Sequence, residues 1–321
     1  MSKPIYGEPD VGDLRSLITF AVRAPSSHNT QPWYFRIGEE HVLCFADRTR
    51  ALPVNDPDDR ELTISCGCAL MNLRVAAARA GSRAQIRLLP GGEDEDLLAR
   101  ADLRPGPDRA EAELFPAILE RRTYRKCFLK KIVPREVLEE LVETANLEGA
   151  WFEVLDKTVQ REGVVWLVTE GDAAWWANPS WRRELASWMH PRRHGDGLAM
   201  PGYAAPVVKA IVRTFDMGDG VGAKDKQLTE ESPVLAVLGT DSDSTSDWLK
   251  AGMALERVLL HAKLRGLQAS FLNQPIQVPA LRPKLQHLLA KPGFPQILLR
   301  LGYPAKAIPA SPRRSLDEVI D

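Results

Sequence analysis

Two short runs in this 321-residue chain carry side chains suited to holding an anion. The first is Ala24-Pro25-Ser26-Ser27-His28-Asn29-Thr30-Gln31-Pro32-Trp33. It sets two hydroxyls, an amide side chain and exposed backbone N–H groups just past a helical stretch, an arrangement that donates hydrogen bonds to an anion or a hydroxylated chain. A polar surface turn is its plain alternative. The second run is Arg121-Arg122-Thr123-Tyr124-Arg125, whose guanidinium forks suit phosphate. Its alternative is a solvated basic face. A further pair, Arg313 and Arg314 behind Pro312, is either part of the same site or tail charge. His28 is the side chain of the loop suited to proton transfer near neutral pH, and it can equally serve the loop's structure. Gly218-Asp219-Gly220-Val221-Gly222 lacks GxGxxG spacing and leads into Lys-Asp-Lys, so it is not a dinucleotide fingerprint.

The elements that must position these residues are legible from periodicity. Leu14, Leu17, Ile18, Ala21 and Val22 predict a helix over 11–23, stopped by Ala24-Pro25. Strands are expected over 33–37 and 42–45 around a Gly38-Glu39-Glu40 turn, and over 85–89. A long apolar helix is expected over 58–80, capped by Gly81. The second half repeats the plan, with helices over 133–145 and 248–265 and strands over 151–155, 234–239 and 297–301. Gly67, Ala69, Leu70, Ala77 and Gly81 match Gly252, Ala254, Leu255, Ala262 and Gly266 in order and spacing. The shared order of flanking elements favours a duplication of long period, a fused dimer rather than a solenoid. The halves are unequal: only the first carries the polar loop, and only the second is preceded by the arginine run. Residues 172–222 are expected to be irregular, being mixed in charge and broken by Pro and Gly. Trp175, Trp176, Trp181 and Trp188 fall within them and must cover apolar surface, either the core or, as a lid, a bound ligand.

Composition narrows the partners. Forty-two basic against 43 acidic residues leave a net charge of −1, with no basic excess for nucleic acid or an anionic membrane. No apolar run suits a membrane span and Met1–Gly7 offers no leader, so a cytoplasmic protein is expected. Cys44, Cys66, Cys68 and Cys127 form no CxxC pair and read as buried thiols. The six histidines are scattered, and no metal site is expected.

The runs Ala24–Trp33, Arg121–Arg125 and Leu301-Gly302-Tyr303-Pro304 with Arg313-Arg314 resemble the APSxxNxQPW loop, the RRSxR opening and the closing LGYP…RR segment of the nitroreductase family. Loop and arginines on opposite halves resemble its fused Acg-like branch. The resemblance implies an α+β fold of two half-repeats, over 1–115 and 116–321, each with a mainly antiparallel sheet and with long central helices packed between them. It implies FMN, with Arg121, Arg313 and Arg314 on the phosphate. Arg122 belongs to the same motif, Thr123 would bond the phosphate or ribityl region, and Arg125 would lie near flavin N1 and O2. Pro25, Ser26, Ser27 and Asn29 would close the site from the other half. Asn273-Gln274 stand where the family often has Glu-Gly beside flavin N5. By this count one chain completes one FMN site, so a monomer suffices and a weak homodimer is compatible. The implied activity is hydride transfer from NADH or NADPH to a small nitro, quinone or similar acceptor, the flavin carrying the chemistry. The alternative is a lid-covered protein that stores FMN without turnover.

Overall fold

The computed structural model describes residues 7–92, 94–106 and 108–321; the leader reading of the first residues lies almost wholly outside them. The first half contributes α1 (Leu14–Ala21), β1 (Trp33–Ile37), β2 (His41–Ala46), α2 (Arg60–Arg79), β3 (Ser82–Leu88) and β4 (Leu97–Pro105). Two short helices, α3 (Arg109–Ala112) and α4 (Phe115–Glu120), lead to the second. There follow α5 (Arg135–Asn146), β5 (Trp151–Val154), α6 (Thr158–Ala177), α7 (Pro179–Ser187), α8 (Ala205–Thr214) and α9 (Gly218–Glu230). The chain ends with β6 (Val234–Thr240), α10 (Thr245–Leu264), β7 (Gln268–Phe271), α11 (Gln274–Gln277), α12 (Arg282–Leu289) and β8 (Phe294–Gly302).

Both sheets are four-stranded and antiparallel, with the same order: β1-β2-β4-β3 and β5-β6-β8-β7. This is the expected α+β duplication. The two long helices that match in sequence, α2 and α10, pack against each other at its centre. Their glycines explain how closely. A Cβ on Gly67 would lie 2.3 Å from the Leu249 carbonyl oxygen, and one on Gly252 would lie 2.0 Å from that of Ile64. Nearly every α2 residue is buried, including the polar Arg60, Glu61 and Asn72, as befits a helix enclosed by the core on all sides. Gly81 (φ +84°) and Gly266 (φ +79°) end the two equivalent stretches in left-handed conformation.

The sheets differ in what covers them. In β1 Trp33 and Phe35 are buried while Arg36 is exposed, so one face meets the core. In β6 every residue is buried. Val234, Ala236 and Leu238 join the central core, while Leu235 and Val237 point the other way, into a second core roofed by α6 and α12. The last residues cross back to the first sheet, where Phe35 N–H donates to Val319 and Asp321 N–H to Phe35.

Several expectations need correction. The first helix is shorter than 11–23, because Asp13 caps it by accepting from Arg15 N–H and a turn over Asp10–Asp13 precedes it. Strands β4 and β7 were not expected; β4 alternates buried Ala99, Ala101 and Leu103 with Arg100, Asp102 and Arg104, a strand period in the sequence, whereas β7 is only four residues long. Segment 172–222 is mostly helical. Asn178 caps α7 with Pro179 in its first turn, where proline starts a helix rather than breaking one. Gly171 of α6 and Gly218 of α9 serve close packing, against Gln274 and Trp176. Only the stretch around the 3-10 turn Arg192–His194 stays irregular. Cys127 is exposed, unlike the other three thiols. Among the described residues, no helix is long and apolar enough to cross a membrane.

Candidate functional site

The polar loop leaves α1 in an unusual backbone state. His28, Asn29 and Gln31 have φ of +48°, +56° and +53°, a cluster of left-handed non-glycine residues that the surroundings must hold in place. They are held from three sides. Ser26 Oγ accepts from Gln31 N–H at 3.0 Å. Asn29 Nδ2 donates to the Gly197 and Pro312 carbonyls, and Gln31 Nε2 donates to that of Gly195. Arg313 donates to the Val22, Arg23 and Ala24 carbonyls and to Asn29 Oδ1.

The arginine run is fixed against β7 and β8. Tyr124 N–H donates to Ala269, and Gln268 spans the turn by accepting from Arg122 N–H and donating to the Glu120 carbonyl. The buried Arg300 donates to the Tyr124 and Lys126 carbonyls. Arg121 is 6% exposed and lies 3.2 Å from Glu256, a carboxylate on α10 with no exposed surface. Burial pushes the Glu256 carboxyl up to about 7 against the opposing pull of Arg121.

Loop and arginines meet in a narrow cavity of about 60 Å³. Arg23, Arg121, Arg122, Arg125 and Arg313 line it, and among the described residues no carboxylate does. Burial and then the charges of Arg121 and Arg23 push Arg313 down to about 9. A cavity with so much positive charge suits an anion. Pro25, Ser26, Thr123, Arg125 and Phe271 also line a larger cavity of about 400 Å³, within the usual size for small-molecule sites. Its walls combine α2 (Glu61, Ile64, Ser65, Cys68) with Trp175, Trp176 and Trp181 from the inserted helices. Trp175 and Trp181 stack with centroids 5.7 Å apart. Burial and then Arg125 push His28 down to about 4, so the imidazole is neutral near pH 7.

Of the residues singled out in the sequence, Pro25, Ser26, Ser27, Thr123, Arg125, Asn273 and Gln274 line the larger cavity, as does His28. Asn29, Arg121, Arg122 and Arg313 line the smaller. Arg314 is turned away. It donates to the Gln31 carbonyl and pairs with Asp47, bracing the loop from behind rather than facing the anion cavity. Ser27 donates to Glu61, which also accepts from Asn273 and Gln277. Sequence reasoning missed Arg23, although it directly precedes the loop motif. It also missed Asp172, at the start of the segment read as irregular, and Asp225, three residues past its end, as well as Glu61 and Gln277, which no motif marked. Trp188 lines neither cavity and lies beneath Arg50. His190 and His194, read as scattered, meet on Asp196 Oδ1 at 2.7 and 2.8 Å, while Arg50 pairs with the other oxygen and already neutralises that carboxylate.

The arrangement fits a flat ring in the larger cavity joined to a phosphate in the smaller. No family model matches the chain. It is 31% identical over 327 residues to a Mycobacterium tuberculosis (strain H37Rv) protein named "Putative NAD(P)H nitroreductase Rv3131", covering 98% of this chain and 92% of that one. It is 30% identical over 316 residues to "Putative NAD(P)H nitroreductase acg" of the same strain, covering 95% and 94%. A solved structure of the FMN-dependent nitroreductase NfnB from Mycobacterium smegmatis in complex with NADPH overlaps 64% of this chain and 96% of its own. Its identity to the chain is 15% and its TM-score 0.43. On the strength of the two full-length relatives, the chain belongs to the nitroreductase family.

Proposed function

We propose that the chain is an FMN-dependent NAD(P)H oxidoreductase that carries one FMN per polypeptide and reduces a small nitro, quinone or similar acceptor. The observation behind this is the five-arginine cavity opening beside a tryptophan-walled chamber, both completed by one chain. The residues fit the cofactor: Arg121 and Arg313, with Arg23 and Arg122, would take its phosphate, and the chamber would take its ring. Bound there, FMN supplies reversible hydride chemistry. The protein's part is to bind, orient and exclude water. Among the described residues Arg125 has no hydrogen-bond or ion-pair partner, and it borders both cavities, so it is the cation available to a ring that gains negative charge on reduction. The halves, 1–115 and 116–321, would act as a built-in dimer, so a monomer suffices.

A second reading, storage of FMN beneath a closed insertion, is favoured by how firmly that insertion is fastened. Trp181 Nε1 donates to Asn55 Oδ1 at 3.0 Å, and Glu184 accepts from Val54 and Asn55 N–H at 2.8 and 2.9 Å. Reconstitution of the apoprotein with FMN, followed by absorbance after denaturation, tests the cofactor. A ratio near one per chain is expected, and a chain that takes no flavin refutes both readings. Oxidation of NADH or NADPH with a nitroaromatic or quinone then separates turnover from storage.

A further inference from the structure

Two carboxylic acids stand in the wall of the larger cavity on different helices, Asp172 on α6 and Asp225 on α9. These helices pack together, and Gly171 lets α6 close on Gln274, where a Cβ would lie 2.6 Å from the Gln274 Cβ. Both acids converge on one nitrogen. Gln274 Nε2 donates to Asp172 Oδ1 at 2.9 Å and to Asp225 Oδ2 at 3.3 Å. Asp172 is 4% exposed, and its Oδ2, like Gln274 Oε1, is buried with no hydrogen-bond partner. Trp175, Trp176 and Val221 line the same chamber. Two carboxylates this close in such a setting do not both ionise readily near neutral pH, so the pair keeps a proton. Burial and then the charge of Asp225 push Asp172 up to about 7. Burial also raises Asp225, while Arg300, Lys224 and Arg125 act the other way. The neighbouring histidine is no competitor, because His28 is neutral near pH 7.

We infer that the Asp172–Asp225 pair is the proton donor of the cavity, delivering one proton to an oxygen of a flat quinone or nitro acceptor as that acceptor is reduced. The inference rests on the oxidoreductase reading. The NAD(P)H reductant provides two electrons and one hydrogen nucleus, and the pair provides the second. One carboxyl O–H bond breaks, an O–H bond on the acceptor forms, and both carboxylates are left ionised. Their repulsion then favours recovery of a proton from water.

The test uses wild type, Asp172→Asn and Asp225→Asn, with FMN content measured on each after denaturation. Infrared difference spectra of the apoproteins between about pH 6 and about pH 8 should show a protonated-carboxyl band in wild type that weakens in each variant. Buried Asp56 and Glu256 also hold protons in this range, so only the difference between wild type and variant is read. In the reduced holoproteins, the ratio of quinone rate to ferricyanide rate is followed against pH, since ferricyanide takes an electron without a proton. The wild-type ratio should fall above about pH 7, and the variants should show an about 100-fold lower ratio with no such titration. FMN retained with equal losses for both acceptors, an unchanged pH profile or an unchanged infrared band would overturn the donor role alone. A wild-type chain that takes no flavin overturns the cofactor reading and the donor role with it. If either variant fails to fold, the wild-type pH profile and the other variant still decide.

Discussion

The anion cavity makes a prediction whose size follows from its geometry. Arg121→Ala alone would be a poor probe, because it strands Glu256, which has no exposed surface and draws on Arg121 as its ion-pair partner. Breaking one side of a buried pair costs about 3–5 kcal/mol, whereas replacing both sides is often near neutral. The comparison is therefore Glu256→Gln against Glu256→Gln with Arg121→Met. The glutamine keeps the shape on α10, and the methionine keeps the apolar stem. Between these two proteins, what changes toward a ligand is one guanidinium facing the small cavity. A charge-assisted hydrogen bond contributes about 1.5–3 kcal/mol, equivalent to about 10- to 150-fold in affinity. Titrating each apoprotein with FMN and with riboflavin, read by flavin fluorescence, should show that loss for FMN. Riboflavin, which lacks the phosphate, should change by less than about threefold, or about 0.6 kcal/mol. Equal losses for the two ligands would refute the phosphate assignment.

The remaining predictions use other features of the same framework. Arg313→Ala should weaken FMN more than riboflavin, but should also weaken riboflavin and lower the melting temperature, because Arg313 both faces the small cavity and holds the loop through Val22, Arg23, Ala24 and Asn29; an unchanged riboflavin affinity and melting temperature would contradict the loop-holding part. Gly252→Ala should destabilise by about 3 kcal/mol or more in denaturant unfolding and reduce flavin content, since its Cβ would meet the Ile64 carbonyl oxygen at 2.0 Å. Asp172 is raised from 3.8 to about 7 in the folded chain, so the folded state binds more protons than the unfolded one across that window, and its contribution to stability declines as pH rises through it. Asp172→Asn should flatten that decline in denaturant midpoints measured from about pH 4 to about pH 8, and an unaltered slope would count against a raised carboxyl. Trp181→Phe, which drops the bond to Asn55, and Glu184→Gln, which weakens the cap on Val54 and Asn55, should together raise iodide quenching of bound flavin; unchanged quenching would mean the insertion does not gate the chamber.

What the sequence revealed of the fold follows from local chemistry. Alternation in Trp33–Ile37 and the turn at Gly38 gave the first hairpin, and the paired glycines gave the contact of α2 with α10, because small residues recur where backbones touch. The site's loop and arginines were legible for a related reason: each is a contiguous run. Asp172, Asp225 and Gln274 converge from three separate elements, and no spacing in the chain signals it. The insertion misled because Pro179 and Gly218 break helices on average. Here one starts a helix and the other packs against Trp176. Arg313 and Arg314 are adjacent in sequence and opposite in placement, one toward the cavity and one toward Asp47, a difference set by tertiary packing.

The insertion also explains why the two halves are unequal. A half-repeat sheet has two faces, and the central helices cover one of them. On the first sheet the other face is left partly to solvent, and the strand carries Tyr34 and Arg36 there. On the second sheet that outer face carries Leu235, Val237 and Leu298 of β6 and β8, which would form an apolar patch without a roof. Helix α6 supplies that roof with Val164, Leu167 and Val168, then continues without a break to Asp172, Trp175 and Trp176 in the cavity wall. Covering the sheet and closing the cavity are thus done by one helix, and neither task can be removed without disturbing the other. A simple appended lid could be lost with the core intact. This one is anchored at its root in a hydrophobic core and at its far end on the polar loop, through Gly195 and Gly197. The cavity is therefore bounded on one side by a strained loop of the first half and on the other by a helix rooted in the second.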